Sequence, residues 1–516
     1  NPDRDRQQHH GYLEAMIHRA YPDLELTMRN LGFAADEVNL HPRSDEVPQT
    51  EYFLNMKKGD TVVKIGDTQV VYKAGTDFNA SVIFAYWGFN ESFKGAAGAN
   101  DFRQNLDAYL KKTTTGNGGQ APPRVVLFSP IAHENLQDAD FPDGAKTNLN
   151  LEVYTKIMAE VAGSNKVPFV DLYHASLDLY AKAPKRLTLN GIHLTETGDR
   201  ALAPVQFEAL FGKAAPDLKD GALEKIRAAV VEKNTQWHHR YRTVDQYNIF
   251  GGRSRIKYEG IDNATILGQE LAQRDVLTAN RDRAVWAAAQ GRDYQVKDDN
   301  LPPVDLTPPN LKDAVPYLSG EAAMQHITVA EGCKLEFIAS EATFPELINP
   351  VQMNFDTKGR LWISVWPSYP ETSPTTTNFD KLIYFDLDPK TGQPLKCTTF
   401  ADGLNCPTGF QFYKDGVIVM QSPDLWFLRD TDGDGKADSR ERLLHGLDAA
   451  DSHHETNSIC YEPGGAIYLS DGVFHRTNVE TYLGPVRNTD GAIYRYEPNT
   501  SKFRRHVPYG FANPHG

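Results

Sequence analysis

Residues 81–92 read SVIFAYWGFNES, and the apolar run Val82–Phe89 inside them decides the fold of the first half. At eight residues it falls far short of the roughly 18 a membrane span requires. It reads instead as a buried strand followed by a turn. Working outward, GYLEAMIHRAY (11–21) is helical, LELTMRNLGF (24–33) a strand, FRQNLDAYLKK (102–112) a helix, RVVLFSP (124–130) and VPFVDLY (167–173) strands, and RALAPVQFEALFG (200–212) a closing helix. That alternation predicts a parallel sheet covered by helices on both faces, with functional residues at the strand ends.

The bulk numbers agree with several globular domains. A chain of 516 residues exceeds what one core usually serves. The formal charge of −14 disfavours nucleic acid, whose phosphates need a basic face. No signal peptide is visible, and the first residue is Asn1 rather than Met, which suggests a processed or cut N-terminus. Cys333, Cys397, Cys406 and Cys460 allow three pairings, and free thiols are equally compatible. No CxxC occurs, so zinc-ribbon and haem-attachment sites are unsupported.

Residues 216–325 are expected to form a connector. LEKIRAAVVEKNTQWHHRY (223–241) and ILGQELAQRDVLTANRDRAVWAAAQ (266–290) carry helical spacing, and NLPPVDLTPPN (300–310) is an extended proline-rich linker. Beyond it lies an internal repeat in which an aromatic is followed four positions later by Gly and six later by an aliphatic. It comprises Phe355, Gly359, Leu361; Phe412, Gly416, Ile418; and Tyr461, Gly465, Ile467. A period near 50 residues, each unit reading strand, Gly turn, strand, predicts propeller blades in residues 326–516. A propeller closes with about four to eight blades, so three imply a fragment whose further blades follow residue 516, or a domain completed by something else.

Three strings carry chemistry in residues 1–215: RNLGF with Gly32, GFNES with Asn90, and NGIHLTETG with Asn190 and His193. In this order they resemble the SGNH, or GDSL-type, hydrolases, which implies a flavodoxin-like three-layer α/β fold and ester substrates such as acetylated glycans. The resemblance implies His193 as base, and the Gly32 amide and Asn90 side chain as oxyanion donors. Such donors act where negative charge develops on the substrate. Asn190 stands where the family places the aspartate that orients the histidine. The family's serine block would fall at the very start, where NPDRDRQQHHGYLE offers Asn1 and Pro2 instead. Ser92 and Ser129 read more simply as turn or strand-end hydroxyls. A base without a positioned nucleophile has no covalent role, so the site is expected to be degenerate unless a serine lies upstream.

DTDGDGKADSRE (430–441) matches the EF-hand ligand positions through Asp430, Asp432, Asp434, the Lys436 carbonyl, Asp438 and the bidentate Glu441, with Gly435 at the turn. Its flanks read as strand and turn, so a structural calcium loop is expected. DSHHETNSICYEPGG (451–465) places His453 and His454 at the start of the third unit, where neighbours on a strand would face opposite sides. With FDTKGRLWISVW (355–366) this resembles the quinoprotein glucose/sorbosone dehydrogenase propellers, in which such a histidine is the base and pyrroloquinoline quinone the hydride acceptor. That cofactor would need blades beyond those present. The two resemblances together point to planctomycete-type multidomain proteins that process carbohydrate outside the cytoplasm. A non-catalytic binding scaffold is the competing expectation.

Overall fold

The computed structural model describes residues 2–42, 61–65, 68–72, 80–115, 121–305, 317–369, 372–376 and 379–514. The strand Val82–Tyr86 pairs in parallel with Arg124–Phe128, which pairs in parallel with Phe169–Val170. Side chains alternate across this sheet, and each face finds its own helices. Ile83, Ala85, Val125 and Leu127 pack on Phe102, Leu106 and Leu110 of the helix Gly95–Thr114 and on Tyr154, Ile157 and Met158 of the helix Ala145–Ser164. On the opposite face Tyr86, Phe128 and Val170 meet Leu172, Leu194 and Leu202. Leu106 and Leu110 are fully buried, each contributing roughly 1.5–3 kcal/mol. The expected three-layer α/β arrangement is therefore present.

One expected strand is not. Among the described residues, 24–33 pair with no strand, and their carbonyls are claimed by side chains from the helices that follow residue 216. Trp286 Nε1 donates to Leu26 O (2.8 Å), Lys233 Nζ to Met28 O (3.0 Å), Trp237 Nε1 to Asn30 O (2.7 Å) and Tyr241 Oη to Leu31 O (3.2 Å). Backbone groups must be satisfied, and here side chains replace a ladder. The same helices, Gly221–Tyr241 and Asn263–Ala289, share a core with the first region: Leu223, Ile226, Val230 and Val285 join Tyr12, Met16, Ala203 and Phe207. Packing does not break at residue 215. Of the proline-rich stretch 300–310, residues 306–310 lie outside the described residues.

Among the described residues, 350–511 are all-β apart from a single 3₁₀ turn, and they form three consecutive four-stranded antiparallel sheets. The first comprises Pro350–Phe355, Leu361–Val365, Asp380–Leu387 and Pro394–Leu404; the second Gly409–Tyr413, Gly416–Gln421, Asp424–Arg429 and Ser439–His445. The third comprises Asn457–Tyr461, Ile467–Asp471, Gly491–Glu497 and Lys502–Phe511. Equivalent bonds join neighbours: Ser364 Oγ donates to Pro407 O, and Thr408 Oγ1 to Thr456 O. The repeat glycines divide their labour. Gly359 (φ 76°) and Gly465 (φ 85°) make the turn, whereas Gly416 is free of positive φ and is required because a Cβ would lie 2.3 Å from Leu428 O. All four cysteines are unpaired.

Between the second and third strands of the last sheet the chain leaves on an excursion, residues 472–490, containing the short pair Asn478–Val479 and Val486–Arg487. This excursion docks on the α/β half. Asn478 Nδ2 donates to Ala34 O (2.7 Å), Arg487 Nη2 to Ala35 O (2.6 Å), and Tyr482 is buried with Phe89, Ala132 and Ile192.

Candidate functional site

His193 sits in a loop that Glu134 ties down by accepting from Leu187 N, Thr188 N (2.7 Å) and Thr188 Oγ1 (2.6 Å). The turn before it demands glycine: Gly191 has φ 89°, and a Cβ there would lie 2.4 Å from His133 Nε2. Asn190 Oδ1 accepts from the His193 amide and lies 3.2 Å from His193 Nδ1. Because backbone donors fix that oxygen as an acceptor, the imidazole must carry its proton on Nδ1 and present a lone pair at Nε2. This is the tautomer a general base requires.

Nε2 faces a carboxylate. Glu480, carried in by the excursion, places Oε2 3.8 Å from His193 Nε2, while its Oε1 accepts from Asn90 Nδ2 at 2.8 Å. Asn90 stands on the short helix Phe89–Ser92 and also donates to Asp36 O (3.1 Å). Asn90, Asn190, His193 and Glu480 are all buried. Burial, with the charge of Arg6, lowers the His193 pKa to about 4; Glu480 acts in the other direction and is outweighed. The imidazole is neutral near pH 7.

The structure thus brings together three of the four hydrolase-like residues around Glu480. Gly32 differs from expectation: its amide donates to Asn30 Oδ1 (2.8 Å) and its carbonyl accepts from Arg242 Nη2 (2.5 Å), so it offers no donor to an oxyanion. Both amide hydrogens of Asn90 are likewise committed. The two candidate hydroxyls serve backbone: Ser92 Oγ donates to Phe89 O, and Ser129 Oγ accepts from Leu172 N and Tyr173 N.

Beside this site lies a charge network the sequence does not announce. His445 is held between Asp5 Oδ2 and Asp424 Oδ1, each at 2.5 Å, with Arg242 on Asp5 (2.9 Å) and Arg442 on Asp424 (2.9 Å). Burial lowers the His445 pKa, yet the two carboxylates overcome it and raise the value above normal. Burial raises Asp5 and Asp424, yet Arg242 acting on Asp5, Arg442 acting on Asp424, and His445 acting on both hold them well below the usual carboxylate range.

His453 and His454 do not occupy opposite faces of a strand. They lie in a 3₁₀ turn, Ser452–His454, whose N-cap Asp451 gathers both: His454 Nδ1 is 2.8 Å from Asp451 Oδ2 and His453 Nδ1 3.5 Å from Oδ1. The buried carboxyl groups Asp245, Asp380 and Asp451 act on buried Glu455 there, while Arg253 is committed to Asp451 at 2.9 Å. Pyrroloquinoline quinone is a tricarboxylate, and these acid-rich surroundings do not fit it.

In the acidic loop, between the strands Asp424–Arg429 and Ser439–His445, ligand atoms of Asp430, Asp432 and Asp434 lie within 4.8 Å of one another, close enough to share a cation. Gly435 (φ 90°) makes the turn, and Asp430 accepts from the Gly433 and Gly435 amides. The other expected ligands are not in that group. Asp438 accepts from Thr431 N and Oγ1, and Glu441 is paired in a strand opposite Phe427; the expected ligand at Lys436 is its backbone carbonyl, which that grouping of side chains does not address. The flanks are strands, as the sequence predicts.

A family model described as a domain of unknown function (DUF7133) matches residues 319–508. No curated protein matches. Among solved structures, a catalytic mutant of Axe2, an acetylxylan esterase from Geobacillus stearothermophilus, is similar at 13% identity and TM-score 0.21, over 25% of this chain and 59% of that one. The acetyl xylan esterase AlAXEase is similar at 21% identity and TM-score 0.20, over 25% and 67%. The M. smegmatis aryl esterase is similar at 20% identity and TM-score 0.21, over 27% and 63%. The chain thus spans about three fifths of the length of Axe2. At these scores the functional reading rests on the site's own geometry. Among the described residues no helix is long and apolar enough to cross a membrane.

Proposed function

We propose that the α/β half is a non-hydrolytic relative of carbohydrate esterases, acting as a scaffold for a propeller-like β half in a protein of extracytoplasmic carbohydrate processing. The observation that carries this reading is the Glu480 carboxylate seated between Asn90 and His193, where a serine hydroxyl and an oxyanion would otherwise meet. A base facing a carboxylate has no proton to take, and the carboxylate that already occupies the Asn90 donor repels a second negative charge. An active esterase would first have to expel Glu480. The dehydrogenase chemistry of the resembled propellers is not carried over, because the surroundings of His453 and His454 do not suit a polyanionic quinone. The test is hydrolysis of p-nitrophenyl acetate and acetylated xylo-oligosaccharide by the chain and by His193→Ala. The two should run at the same background rate; a rate that falls on losing His193 would overturn the reading.

We also propose that Asp430, Asp432 and Asp434 hold a calcium ion that braces the hairpin, with carboxylate oxygens suited to a hard cation. Titration calorimetry should show calcium uptake that Asp432→Asn with Asp434→Asn abolishes. No uptake at millimolar calcium would remove the claim.

A further inference from the structure

We propose that Asp245, Asp451 and His453 bind one divalent transition-metal ion that clamps the connector onto the β half. Each offers a ligand atom, and these atoms lie within 4.8 Å of one another, so that small side-chain shifts bring all three onto one ion with bonds near 2.0–2.2 Å. Asp245 comes from the connector and the other two residues from the turn before the third sheet. Backbone bonds already align the two sides: Asp245 N donates to Ala449 O (2.9 Å), Tyr247 N to Ala450 O (2.7 Å) and Ser452 N to Asp245 Oδ1 (2.6 Å).

Two groups without hydrogen-bond partners support a cation there. His453 Nδ1 makes no hydrogen bond, although Asp451 Oδ1 lies 3.5 Å away. Glu455, 1% exposed, has neither carboxylate oxygen hydrogen-bonded, and it lies within electrostatic reach of Asp245 and Asp451. Leaving such groups buried and unpaired is costly, and a dication would relieve both by ligating the nitrogen and neutralising the carboxylates. The remaining bonds that Asp245 accepts, from Ser452 Oγ (2.7 Å), Thr372 Oγ1 (2.9 Å) and Thr372 N (3.1 Å), would orient it as an outer shell orients a ligand. An imidazole with two carboxylates suits Zn²⁺ or Mn²⁺ rather than Ca²⁺.

The experiment titrates ZnCl₂ and MnCl₂ into the chelator-treated 516-residue chain by calorimetry. Asp432→Asn with Asp434→Asn is used alongside, so that the acidic loop cannot account for the signal. One site should persist in that variant. His453→Ala should weaken it at least tenfold while leaving the metal-free melting temperature unchanged, and the absorption bands of the Co²⁺-loaded protein should change with it. Unchanged affinity in His453→Ala, loss on altering only the loop acids, or no uptake at all would each overturn the proposal.

Discussion

His193 in the α/β half and His475 in the β half are both buried, and each sits within four residues of the side chain that orients it. His193 faces the amide of Asn190 and falls to about 4, whereas His475 lies 2.6 Å from Asp471 and rises to about 9. Burial pulls both down; the carboxylate of Asp471 reverses it at His475, which also reaches Asp451 O at 3.2 Å and therefore has acceptors for two protons. The charge of the orienting group, rather than burial, decides whether a buried imidazole is a cation. Asparagine at 190 keeps the geometry of a catalytic base while removing the charge that would support its protonated state.

Breaking the charged partner should have the largest effect. Asp471→Asn leaves a buried imidazolium uncompensated and should cost about 3–5 kcal/mol in urea unfolding at pH 6. The pH dependence follows next. Because the folded pKa of His475 exceeds the unfolded value of 6.5, its contribution is fully present below about 6.5 and is lost as pH rises through about 9. That shift is worth on the order of 3 kcal/mol, so the stability gap between the chain and His475→Gln, measured by urea unfolding, should narrow by about that amount from pH 6 to pH 9.5. On the other side of the comparison, Glu480→Ala removes the acceptor from the buried Asn90 amide and should cost about 1–3 kcal/mol by the same assay. Asn190→Asp should change stability least but raise the His193 midpoint by about 1–3 units in an NMR titration, converting one centre toward the other.

The local pattern of the chain was legible. The run Val82–Phe89 gave the first strand of the parallel sheet, NGIH gave the turn that sets Asn190 on His193, and the aromatic, Gly, aliphatic spacing located the first hairpin of each of the three β sheets. What periodicity could not show is what arrives from far along the chain. Residues 24–33 have strand-like composition, yet their carbonyls are taken by Trp237, Lys233 and Trp286, more than 200 positions away. Glu480 lies 390 positions from Asn90, and nothing in VETYLG marks it as the carboxylate that meets His193. Asp245 and His445 were missed for the same reason: each is an isolated polar residue locally, and becomes part of a cluster only when the connector and the β sheets pack together. The EF-hand match located the Gly435 turn and three carboxylates that the fold sets close together, Asp430, Asp432 and Asp434. It placed Asp438 and Glu441 by position alone, and the strand that begins at Ser439 carries Glu441 into a ladder instead.

The central claim is that His193 is a neutral base fixed in the right tautomer and met by Glu480 rather than by a nucleophile. Its most direct test is an imidazole ¹⁵N NMR titration of His193 in the intact chain. The structure requires a neutral ring protonated at Nδ1 at pH 7, with a midpoint near 4 that falls further in Glu480→Gln. A midpoint at or above 6.5, or a proton resident on Nε2 at pH 7, would contradict it.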